Sequence, residues 1–183
     1  MCGIAGIINT NQSFDSSLVT KMSQSMVHRG PDAEGLFAER PVLLAHRRLS
    51  IIDLSMQADQ PFYSNDGRYV LIYNGELYNY KTLRAELKDY EFRTNSDTEV
   101  VLAAFQAWGT SCVERFEGMF AFAIWDKVSE RLVLGRDRLG IKPLYYHFSD
   151  QHLVFASEVR SILRTGLLPK VIDKFALADY LQY

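Results

Sequence analysis

A cysteine stands directly behind the initiator methionine, in the run Met1-Cys2-Gly3-Ile4-Ala5-Gly6-Ile7. Once Met1 is removed, Cys2 carries a thiol and a free α-amine on one residue. Such an amine titrates at roughly 7.7–8.0, so it exchanges protons near neutrality. A free thiol titrates near about 8.5 and is mostly protonated there. The pair is therefore a nucleophile with its own base, by the logic of the N-terminal threonine enzymes. The plainer reading of Cys2 is a small buried strand residue.

Three other features supply complementary chemistry. Asn74-Gly75 offers a side-chain amide and a neighbouring backbone N–H, two donors for an oxyanion. Alone, Asn-Gly is a hairpin turn. Arg48 can take a carboxylate in bidentate fashion or sit in a surface ion pair. Asp97 opens a helix, where it either complements the dipole or meets an ammonium group. Arg29 and Asp32, in the Arg-Gly-Pro-Asp loop, read as turn residues. An arginine for a carboxylate, an aspartate for an ammonium, a thiol and an oxyanion hole together describe a pocket for a free amino acid with an acyl carbon at its far end. Glutamine fits that description.

The elements that must position these residues follow from periodicity. Gly3 to Ile8 reads as a short buried strand. Asp15 to His28 reads as a helix, with Leu18, Met22 and Met26 one turn apart. Val42 onward reads as a strand continuing to Ser50 or beyond. Alternation there sends Arg47 and Arg48 to opposite faces, so at least one turns inward. Ser64 to Gly67 is a hairpin turn, and Arg68 to Tyr73 returns as a strand that ends at Asn74-Gly75. Leu77 to Tyr90 reads as a helix. Ser96 and Glu99 form a capping box for a helix that runs to Trp108, stops at Gly109 and turns Val101, Ala104, Phe105 and Trp108 inward. Met119 to Trp125 is a strand covered on both faces. Arg131–Gly135, Pro143–Phe148 and His152–Ala156 are further strands, and Glu158 to Arg164 a short helix. Asp173 to Tyr183 is an amphipathic helix without a C-cap. This pattern predicts an α+β fold of antiparallel sheets with layers on both sides.

Composition narrows the class. The 183 residues are 48% hydrophobic and 23% charged, with a net charge of -2, which suits one globular domain. Beyond His46-Arg47-Arg48 there is no basic cluster, and so no nucleic-acid footprint. No apolar run reaches membrane length and no signal peptide is visible. Two cysteines, Cys2 and Cys112, make no disulfide framework, which points to the cytoplasm. Cys112 reads as a core residue. No His/Cys spacing suits zinc, and His28, His46, His147 and His152 take no catalytic role.

Seven motifs occur in order: Met1-Cys2-Gly3-Ile4, His28-Arg29-Gly30-Pro31-Asp32, His46 to Asp53, Tyr73 to Asn79, Ser96 to Val100, Gly118 to Ala123 and Gly135 to Tyr146. Together they resemble the N-terminal glutaminase domain of glutamine-hydrolysing asparagine synthetases, a class II glutamine amidotransferase of the N-terminal-nucleophile hydrolase type. The resemblance implies a four-layer αββα sandwich of two mostly antiparallel sheets, over residues 1–170. Residues 171–183 would begin a truncated C-terminal synthetase domain or a linker helix. The resemblance further implies Cys2 as nucleophile, Asn74 and Gly75 as oxyanion hole, Arg48 on the glutamine carboxylate, and Asp97 on its ammonium with Glu76 beside it. Leu49, Ile51 and Ile52 would line the same pocket. Glutamine would become glutamate and ammonia through a thioester.

No cofactor is expected in this domain. ATP and magnesium would serve a second domain, where ammonia meets an activated aspartate. That domain's Ser-Gly-Gly-x-Asp-Ser signature is not among these residues. The run Arg136 to Pro143 and the last helix would face it. Expected partners are glutamine, the synthetase domain and, as an open arrangement, a second copy in a homodimer, with neither nucleic acid nor membrane. Two rivals stand: a related amidotransferase with another acceptor, such as a cell-surface sugar, and a non-catalytic domain that senses glutamine or binds a partner.

Overall fold

The computed structural model describes residues 1–9 and 15–182. Two antiparallel sheets stack face to face, with helices on both outer surfaces. The first sheet has the order β2-β3-β1-β9-β8 and the second β4-β5-β6-β7. Their strands are β1 (Gly3–Asn9), β2 (Ala33–Glu39), β3 (Val42–Arg48), β4 (Phe62–Tyr63), β5 (Tyr69–Leu77), β6 (Gly118–Asp126), β7 (Arg131–Arg136), β8 (Tyr145–Phe148) and β9 (His152–Ala156). The helices are α1 (Ser17–Gln24), α2 (Tyr80–Glu86), α3 (Asp97–Trp108), α4 (Val159–Leu163) and α5 (Lys174–Gln182).

Strand alternation sorts the core into three sheets of contact. Ile4, Val42, Leu44, Val70, Ile72, Ala121, Ala123, Trp125 and Phe155 pack between the two sheets. Ala5, Ile7, Leu43, Ala45, Val154 and Ala156 face outward, onto Val19, Met22 and Met26 from the α1 side and Ile162 of α4. Leu71, Tyr73, Leu77, Phe120, Phe122 and Ile124 face the other way, onto α2 and α3. The layers are thus helix, sheet, sheet, helix, as expected. Each fully buried large aliphatic contributes about 1.5–3 kcal/mol.

Several boundaries differ from the sequence reading. β5 does not end at Asn74-Gly75: it continues to Leu77, with Asn74 opposite Ala121 and Gly75 opposite Phe120. The partner strand β6 overrides the local turn propensity, because it supplies ladder bonds along the whole length. Leu77 therefore belongs to β5, and α2 is shorter than Leu77 to Tyr90. β3 stops at Arg48, and α1 covers Ser17–Gln24 and is followed by turns. β2 was not anticipated. It is an edge strand whose only buried residue is Phe37, so it carries little of the alternation that marks a strand.

The capping box is half formed. Ser96 Oγ accepts from Thr98 N at 3.2 Å. Glu99 does not reach back to Ser96; its carboxylate accepts from Arg93 N, Thr94 N and the Thr94 hydroxyl. Full burial of Glu99 makes three backbone and hydroxyl donors a better bargain than one. α3 ends at Gly109 as expected, although its residues from Val100 to Phe105 are all buried. β6 is covered on both faces and Cys112 lies in the core, both as read from sequence. The described part of the final helix, α5, has no buried residue; Tyr183 lies outside the described residues.

Candidate active site

One small cavity, about 70 Å³, opens at the end of the sheet stack. Cys2, Arg48, Leu49, Ile51, Ile52, Asn74, Gly75, Glu76 and Asp97 all line it. Every site residue named from sequence is therefore brought to one place, from four separated stretches of chain.

The faces of the strands explain the convergence. Cys2 precedes Ile4 by two residues, and Arg48 follows Leu44 by four. Asn74 and Glu76 continue the series Val70, Ile72. All share the alternation of residues packed between the sheets, so they project from both sheets into the same opening. Arg47, on the opposite face of β3, donates instead to Ser23 and Glu34.

Cys2 Sγ lies beside the Leu49 backbone, accepting from its N–H at 3.4 Å. Burial pushes the thiol up. The Leu49 N–H, the chain's N-terminal charge, Arg48 and Lys142 oppose that rise in part. Arg29, read as a turn residue, donates Nε–H to the Cys2 carbonyl at 2.9 Å. Asp32 holds the adjacent loop by accepting from Ser50 N at 2.8 Å.

Asn74 is 1% exposed, and its Nδ2 has no hydrogen-bond partner among the described residues. An orphaned buried amide is uncommon and calls for a ligand or another explanation. The Gly75 N–H takes its direction from its neighbours of equal parity. Tyr73 N donates to Gln60 Oε1 at 2.6 Å and Leu77 N to Asp97 Oδ2 at 3.0 Å. β4 pairs only with Val70 and Leu71, so this edge of β5 is uncovered at Gly75. A strand edge, and not a strand end, is what presents the donors. Gly75 must lack a side chain, since a Cβ would lie 2.6 Å from the Tyr73 ring and 2.7 Å from the Met119 carbonyl.

Arg48 is buried. Its Nη1 donates to Ser55 O at 2.9 Å and to the Asp59 carboxylate; its Nη2 donates to the Asp53 carbonyl. It is a buried arginine in an ion pair with the exposed carboxylate of Asp59, and not a free fork. Three of its five N–H groups hold the 53–59 loop, and the Nε–H and one Nη2–H remain for a ligand. Asp97 Oδ2 accepts from the Tyr73 hydroxyl at 3.0 Å as well as from Leu77 N. Burial raises this carboxyl above its usual range in spite of those donors. Among the wall residues not named as site residues from sequence are Lys142, which was placed in the run expected to face a second domain, and Gln60, which carried no motif signal at all.

His46 stands on the same face as Arg48 and bridges the sheets, donating Nε2–H to the Tyr73 carbonyl at 3.1 Å. Burial lowers it to about 3, so it is neutral. Among the described residues no group of three His, Cys, Asp or Glu could hold a metal ion, and no helix is long and apolar enough to cross a membrane.

The stacked sheets with a cysteine at the head of the central strand have the fold of an amidotransferase. The glutamine phosphoribosylpyrophosphate amidotransferase of Bacillus subtilis, solved with ADP and GMP, superposes with a TM-score of 0.76 at 22% identity, over 90% of this chain and 44% of that one. The model of the glutamine amidotransferase domain matches residues 1–183, and the chain belongs to that family. It is 42% identical to asparagine synthetase [glutamine-hydrolyzing] 2 of Bacillus subtilis over 98% of its length and 24% of that protein. It is 41% identical to asparagine synthetase B of Escherichia coli K12, over 99% of this chain and 33% of that one. It is also 39% identical to amidase chry2 of Gibberella zeae, over 93% and 27%. The chain thus spans a quarter to a third of the length of these relatives.

Proposed function

We propose that this domain hydrolyses glutamine to glutamate and ammonia through a Cys2 thioester, and that the ammonia serves ATP-dependent asparagine synthesis from aspartate in a longer protein. The observation that carries the reading is the orphaned Asn74 amide in the same small cavity as the Cys2 thiol.

In the proposed sequence, Met1 is first removed, since an acylated Cys2 nitrogen is no base. The α-amine then takes the thiol proton. Sulfur attacks the side-chain carbonyl carbon of glutamine, and the oxygen becomes an oxyanion that accepts from Asn74 Nδ2 and Gly75 N. The C–N bond breaks as the protonated α-amine gives its proton to the leaving nitrogen, releasing ammonia. Water, deprotonated by the same amine, then cleaves the thioester, and the thiolate regains a proton. Arg48 holds the glutamine carboxylate; Asp97, with Glu76, holds its ammonium; the Leu49, Ile51 and Ile52 segment closes the wall.

Residues 1–170 are proposed as the glutaminase domain. The wholly exposed α5 supports residues 171–183 as the lead into a synthetase domain, which would bind ATP and magnesium. A homodimer and a cytoplasmic setting remain part of the proposal. A second reading, in which the ammonia meets a different acceptor, stands beside it, because one relative is named an amidase and not an asparagine synthetase.

The test is glutamate release by the methionine-processed protein and by Cys2→Ala. Release that disappears in the variant supports the proposal; equal rates in the two would sink it. Aspartate-dependent asparagine formation by the full-length protein decides the acceptor.

A further inference from the structure

The cavity contains a cation that the reaction as described does not use. Lys142 is 5% exposed and lines the wall together with Cys2. Its ammonium has no hydrogen bond or ion pair among the described residues, and it opens onto the cavity space. An unpartnered ammonium that faces a small cavity is placed to meet an anionic group formed there during function.

Its backbone is held firmly. Asp137 accepts from Ile141 N at 2.8 Å, Lys142 N at 2.9 Å and Phe120 N at 3.2 Å. Arg136 Nε donates to the Lys142 carbonyl at 2.8 Å, and its Nη2 to the Gly140 carbonyl at 2.7 Å. This knot ties the 137–142 turn to β6, while Leu139 and Ile141 remain exposed. The knot therefore aims one side chain of the run inward.

The cavity offers Lys142 few anions. Asp97 already accepts from Tyr73 and Leu77, and Asp53 accepts from Ser55 N and Asn95 N. Glu76 forms no ion pair with Lys142 within bonding distance. The remaining acid is the Cys2 thiol, on which Lys142 acts electrostatically in the direction of the thiolate. The other groups facing Cys2 are the N-terminal amine and Arg48, which favour the thiolate, and Tyr73.

We propose that Lys142 is a positioning residue for the nucleophile: its ammonium shares the small cavity with Cys2 and serves there as the counter-charge of the thiolate. This rests on the reading of Cys2 as the nucleophile. The thiol proton still passes to the α-amine, and sulfur still forms the C–S bond.

The test is the rate of Cys2 alkylation by iodoacetamide as a function of pH, followed by peptide mass in the methionine-processed protein. Buried Cys112 serves as the internal control. In Lys142→Met the midpoint should rise by about one pH unit, so that alkylation at neutral pH slows about tenfold. Lys142→Arg should restore it. Lys142→Gln repeats the comparison should the methionine variant fail to fold. An unmoved midpoint in the neutral variants overturns the inference, as does a rise in KM for glutamine with the midpoint unchanged. Absence of glutaminase activity in the unsubstituted protein would count against the proposed function, while the alkylation midpoints would still decide the role of Lys142.

Discussion

Arg29 donates its Nε–H to the main-chain carbonyl of Cys2 at 2.9 Å, and its Nη1 reaches Glu158 at 3.4 Å. A loop residue thus anchors the backbone that carries the thiol. A hydrogen bond from a charged donor contributes about 1.5–3 kcal/mol. Arg29→Met should therefore lower glutaminase kcat by about 10- to 100-fold, with a smaller change in KM. A steady-state comparison in which only KM moves would assign Arg29 to substrate binding instead.

Asn74 separates stability from catalysis. Its Nδ2 has no hydrogen-bond partner among the described residues, so removing it breaks no bond to them. Asn74→Ala should lower kcat by about 10²–10³-fold, the usual loss for one oxyanion donor. Its melting temperature should stay close to that of the unsubstituted protein. A large drop in melting temperature with kcat intact would mean that the amide serves packing.

Asp97 should show the opposite sign in stability. Burial raises its folded pKa above the usual carboxylate value. The folded state therefore binds more protons between that value and the raised one, and stability is lost as pH rises through the folded pKa. At neutral pH the ionised, buried carboxylate is a net burden. Asp97→Asn should melt higher than the unsubstituted protein at pH 7 and lose that advantage on acidification, while its KM for glutamine rises. Calorimetry across pH together with initial-rate kinetics checks both; a lower melting temperature at neutral pH contradicts the argument.

His46 governs acid sensitivity. Its imidazole is lowered from 6.5 to about 3 by burial. Between those values the unfolded chain binds a proton that the folded chain refuses, so stability falls as pH drops through this window. His46→Gln keeps a donor for the Tyr73 carbonyl and removes the titration. The fall in melting temperature from neutral to mildly acid pH should be shallower in the variant. Parallel curves for the two proteins would exclude His46 as the source.

How much of this could be read from the chain depends on the range of the interaction. β6 was legible because a strand buried on both faces must be apolar at every position, and Met119 to Trp125 nearly is. α3 was legible because its start and stop are local. The path of β5 through Asn74-Gly75 was not. The dipeptide prefers a turn, and only the ladder to β6, some 47 residues further along, holds it extended. Glu99 likewise looked like a capping partner, because spacing cannot register that Arg93 and Thr94 present their backbone donors to it.

The sequence by itself determined the chemistry available: a cysteine one methionine from the start, and an amide, an arginine and an aspartate in ordered motifs. Residue type and local order are enough for that. Tertiary structure alone decided which groups are committed and which are left open. Arg48 spends most of its donors on the 53–59 loop, Asn74 keeps its amide unspent, and Lys142 turns into the cavity while its neighbours face solvent. Those outcomes depend on burial and on contacts distant in sequence, which create the demand for a partner, and no local pattern encodes them.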